Sequence, residues 1–78
     1  MPFSGAFYDP ETMARLTRAF QDAWQKVRAN YPERGESQLA TTRKIMALRI
    51  MAAADLGERD IDTLRDLAIR AVEGRDFY

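Results

Sequence analysis

Residues 37–60 read SQLATTRKIMALRIMAAADLGERD, and this stretch decides how the chain is understood. Wound at about 100° per residue, Leu39, Met46, Ile50, Ala53 and Ala54 fall on one apolar stripe of a helix. Ile45, Leu48, Ala52 and Leu56 fall on a second stripe. Lys44 and Asp55 separate the two along one flank, and Arg49 does so along the other. A helix apolar on two sides has to be covered on two sides, so it is expected to be either the central element of the domain or shared with a second chain. Ser37 suits its N-cap and Gly57 its stop, which predicts a helix over residues 38–56.

Upstream, Asp9-Pro10-Glu11 has the chemistry of a helix start. A carboxylate can cap free N–H groups, proline presets φ, and an acid in the first turn complements the helix dipole. Tyr8 and Met13 stand where a hydrophobic staple would close over that start. Met13, Leu16, Phe20, Ala23, Trp24 and Val27 then recur at spacings of three and four, with Tyr31 continuing the stripe. Glu11 and Arg15, and Asp22 and Lys26, are acid-then-base pairs one turn apart on the opposite face. Pro32 disfavours helical geometry in the residue before it, so this first helix is predicted over residues 10–30.

Downstream, Asp60 caps a third helix over residues 61–73, and Gly74 follows as its end. Ile61, Leu64, Leu67, Ala68, Ala71 and Val72 form its single stripe, which leaves Ile69 without an evident place. The reading is therefore an all-α, small three-helix bundle occupying residues 1–78 as a single domain, with an N-terminal tail (1–8) and a C-terminal tail (74–78). Five of the eight aromatic residues, Phe3, Phe7, Tyr8, Phe77 and Tyr78, lie in those tails. Aromatics there either fold back over the bundle or form a hook for a partner.

Composition narrows function by exclusion. With 78 residues the chain has a limited core, and domains of this size usually need help from disulfides, a metal, very regular packing or self-association. It has no cysteine and no histidine, which removes disulfides, thiolate chemistry, the commonest metal ligand and the commonest general base. Twelve basic side chains balance twelve acidic ones, so no overall field draws the chain to polyanions. The N-terminal residues do not read as a signal sequence, and no stretch approaches the roughly 20 apolar residues that span a bilayer. A cytoplasmic protein that does not engage membranes is expected.

Glu58, Asp60 and Asp62 alternate as calcium ligands do, but a calcium loop starting at Glu58 would need glycine at Thr63 and glutamate at Ile69. Capping explains these carboxylates, and no metal or cofactor is expected. Ser4 and Ser37 lie outside any nucleophile-elbow pattern, and the glycines stand alone rather than in a phosphate-binding loop. No catalytic residue is assigned, and the chain is read as not an enzyme.

Ala52–Ala71 has the layout of a helix-turn-helix, with Gly57 in the turn. However, Glu58 stands where an apolar residue normally follows the glycine. Asp62, Asp66 and Glu73 outnumber Arg65 and Arg70 on the would-be recognition helix, which phosphates would repel. Were DNA bound, Arg43, Lys44 and Arg49, with Arg15 and Arg18, would be the phosphate contacts.

Asp9-Pro10-Glu11, Ala23-Trp24, Met46-Ala47, Arg49-Ile50, Gly57-Glu58-Arg59-Asp60 and Leu64-Arg65, in this order, give the chain a pattern that resembles a group of short all-helical bacterial proteins, chiefly alphaproteobacterial, without an assigned activity. The resemblance spans Phe7 to Ala71 and implies a small helical protein, and it carries over no functional residue.

The second stripe, with Met51 beside it, gives the expected contact surface: Ile45, Leu48, Met51 and Leu56. Methionine re-packs readily against different partners. The expected function is a non-catalytic protein-protein interaction or self-associating module, a homodimer or an adaptor for another protein, with a DNA-binding regulator as the alternative.

Overall fold

The computed structural model describes residues 8–30 and 35–73. They form three helices, α1 (Pro10–Asn30), α2 (Glu36–Asp55) and α3 (Ile61–Glu73), with no strand among the described residues. The molecule measures 36 × 21 × 18 Å. A helix with its side chains is about 10–12 Å across, so the short dimensions correspond to two helices side by side.

The ends of α1 and α3 fall where the sequence predicts, and one device starts both. Asp9 accepts the Thr12 N–H at 2.9 Å through Oδ1, and Asp60 accepts the Thr63 N–H at 2.9 Å through Oδ2. Thr63 adds its own hydroxyl to Asp60 at 2.9 Å. These bonds favour the ionised carboxylates and hold both aspartates below the usual carboxyl range. Tyr8 and Met13, the staple residues, both pack against the core.

The start of α2 differs from the prediction. Ser37 lies inside the helix, and the N-cap is Gly35 in extended conformation. Gln38 decides this by reaching back, its Oε1 accepting the Gly35 N–H at 3.2 Å. This is the N3 half of a capping box alone, since glycine has no side chain with which to cap the first-turn N–H groups. At the other end Gly57, with φ of +101°, completes a Schellman turn. The Gly57 N–H donates to Ala54 O at 2.9 Å, and the Glu58 N–H to Ala53 O at 3.0 Å. Arg59 reinforces this end by donating through Nη1 to Ala54 O at 2.8 Å.

The core is one cluster drawn from all three helices. Leu16, Val27, Met46, Ile50 and Leu64 are its largest fully buried side chains. Ala19, Ala23, Ala53, Ala54 and Ala68 bring the helices close. Thr42, a polar residue outside the predicted stripe, is buried because its hydroxyl bonds Gln38 O at 2.8 Å and frees its methyl for packing. Ile69 packs against the core from the edge of α3.

α2 is not the central helix. α3 is the element that packs extensively on both others, while α1 and α2 meet over the smallest interface. Between them lies a cleft of about 640 Å³ lined by Trp24, Arg28, Leu39, Ala40 and Arg43 among others. The surface ion pairs also depart in part from expectation. Glu11 pairs with Arg15 at 3.3 Å, but Asp22 pairs with Arg18 at 3.4 Å, one turn before it rather than after.

A candidate interaction surface on the second helix

The two stripes of α2 have opposite fates. Met46 and Ile50 are fully buried, and Ala53 and Ala54 nearly so. On the second stripe Leu48 is 54% exposed and Leu56 90% exposed, with Ala52 exposed between them. Of the four contact residues expected from the sequence, Leu48 and Leu56 therefore lie open, while Ile45 and Met51 are half-buried and pack against the core along its edges. The surface is thus a ridge centred on Leu48 and Ala52, with Ile45 and Leu56 towards its ends. Leu56 is the C-cap residue of α2, at the Schellman turn.

Charge borders this ridge. Lys44 and Asp55, both exposed, stand on one flank, and Arg49, half-buried, on the other. Asp55 Oδ1 accepts the Tyr8 hydroxyl at 3.0 Å, and burial of the tyrosine together with that carboxylate raises the Tyr8 pKa. Beside Leu56 runs a shallow groove of about 350 Å³, with Arg49, Glu58 and Leu67 on its rim. Phe3, Phe7, Phe77 and Tyr78 lie outside the described residues. Tyr8 does fold back onto the bundle.

The acids at the turn into α3 are hydrogen-bonded within that turn and helix. Glu58 accepts the N–H groups of Arg59 and Asp60, each at 3.1 Å; Asp60 caps α3; Asp62 pairs with Arg65 at 3.3 Å. The alternating acids thus spend their oxygens on the turn and on α3, and no group of three or more carboxylates converges as a metal site among the described residues. Both aspartate caps also occupy the position an anion would take at a helix N-terminus.

The basic residues considered for phosphate contact are dispersed. Arg43 lies over the Trp24 ring at 5.4 Å, Arg15 bonds Glu11 and Arg59 O, each at 3.3 Å, and Arg18 bonds Asp22. On α3, Arg65 is held between Asp62 and Asp66, and its hydrogen bond to Asp66 raises its pKa. No helix among the described residues is long and apolar enough to cross a membrane. No protein-family model, curated protein or solved structure matches the chain.

Proposed function

We propose that this chain is a non-catalytic, cytoplasmic protein-interaction module whose contact face is the outer ridge of α2. One observation carries the reading: Leu48 and Leu56 are the large apolar side chains left exposed among the described residues, and both lie on that ridge with Ala52. A single exposed leucine is ordinary, but an aligned row along one helix face, edged by Ile45 and Met51, has the composition of an interface core with a charged rim.

DNA binding has less support. On α3, Arg65 is tied to that helix's own acids, and on α2 the cations Arg43, Lys44 and Arg49 fall on three different sides of the helix. Photo-crosslinking inside cells tests the proposal. A photoreactive residue at Leu48 is expected to trap protein adducts, whereas one at Asp66, on the exposed face of α3, is not. Equal trapping at both positions, or none at Leu48, overturns it.

A further inference from the structure

Resting on the reading of the α2 ridge as a contact face, we infer that its partner is a second copy of the same chain, paired antiparallel across a two-fold axis passing close to residue 50. The ridge matches itself better in that arrangement than in a parallel one. Lys44 and Asp55 are eleven residues apart, about three turns, so they share one flank. With the axis at residue 50, Lys44 of one copy and Asp55 of the other come level to within about 1.5 Å along the helices, on the same side of the seam. Two opposite-charge pairs result, one at each end.

The apolar residues match in the same register. Leu48 comes level with the partner's Ala52, a large side chain against a small one, and Ile45 comes close to the partner's Leu56. Each copy thereby covers the two leucines that are exposed in the single chain. Tyr8 occupies only Oδ1 of Asp55, and Oδ2 takes no other hydrogen bond among the described residues. On the other flank this register brings Arg49 to within about 3 Å, along the helices, of the partner's Arg49, a like-charge approach that the two Lys44–Asp55 pairs outnumber and beside which Glu58 of each chain shares the rim of the adjacent groove.

Parallel pairing offers no such match: it would set the partner's Arg49 between Lys44 and Asp55, about 7.5 and 9 Å along the helix from each, with Leu48 level with Leu48 and Ala52 with Ala52. Flanking charges of this kind decide helix orientation in paired helices.

Light scattering on the full chain over a range of concentrations tests the inference through its charges. Lys44→Glu and Asp55→Lys are each expected to weaken the dimer about tenfold, and the Lys44→Glu/Asp55→Lys double variant to return it to within about threefold of the original. Within one helix these side chains are about 16 Å apart, so rescue requires two chains. Tyr8→Phe removes the Tyr8 bond to Asp55 alone, and is expected to leave the dimer in place. A monomer at every concentration overturns the inference. A dimer in which the double variant is no stronger than the single ones overturns it as well. Adducts from Leu48 that contain only other proteins would also overturn it while leaving the contact face standing, whereas absence of any adduct would remove both.

Discussion

The two faces of α2 are nearly equal in apolar content and opposite in burial. On the inner face Met46 and Ile50 are fully enclosed, while on the outer face Leu48 and Leu56 meet solvent. The difference comes from the neighbours. α1 and α3 each carry one main apolar stripe, and α3 spends its stripe joining α1 and α2 at once. Nothing remains among the described helices to cover a second face. Hydrophobicity states how much surface a helix has to bury, and only the supply of partner surface decides which part is buried within the chain.

Truncation on each face should break this comparison most strongly. Ile50→Ala is expected to cost about 2–5 kcal/mol of folding stability, because a fully buried side chain leaves a cavity in a close-packed core. Leu48→Ala in dilute protein is expected to stay within about 0.5 kcal/mol. Urea unfolding followed by circular dichroism measures both, and equal costs would mean that the outer face is packed within the chain.

A smaller effect should come from the turn that ends α2. Gly57→Ala places a side chain at φ of +101° and is expected to cost about 1–2 kcal/mol in the same unfolding experiment. Open space surrounds that position, so the cost is one of backbone conformation alone.

The smallest effect concerns pH. Because bonding in the folded state lowers the carboxyl pKa of Asp9 and Asp60, the stability they supply is present above the unfolded value of about 3.9. It is lost as pH falls through the lower, folded values. Asp9→Asn and Asp60→Asn are each expected to flatten the decline in stability below about pH 4, without altering the α2 ridge. An unchanged acid limb would show that these caps do not hold the N-termini of α1 and α3.

Much of the fold is legible in the residues. Both aspartate caps announce themselves, with a carboxylate, a helix-compatible first residue and a threonine three positions on. Periodicity places Leu16, Phe20, Ala23 and Val27 in the core of α1, and Leu64, Ala68 and Val72 in that of α3. The start of α2 was hidden because Ser37 has an intrinsic cap preference, whereas Gln38 supplies its bond only once the backbone of Gly35 is extended. The candidate surface was half legible. Two stripes follow from spacing, but the exposed Leu48 and the half-buried Ile45 and Met51 look alike until α1 and α3 are in place. The central place of α3 was not legible either, since its breadth of contact depends on Ile69 and Leu67 packing at the margins of its stripe.

Sedimentation equilibrium of the wild-type chain beside Leu48→Glu, at matched micromolar concentrations, tests the account most directly. For a chain of 9.0 kDa, the wild type should sediment at twice that mass and Leu48→Glu at the single-chain mass, with both equally helical. A wild-type chain that remains at 9.0 kDa, or a Leu48→Glu variant that keeps the doubled mass, would contradict it.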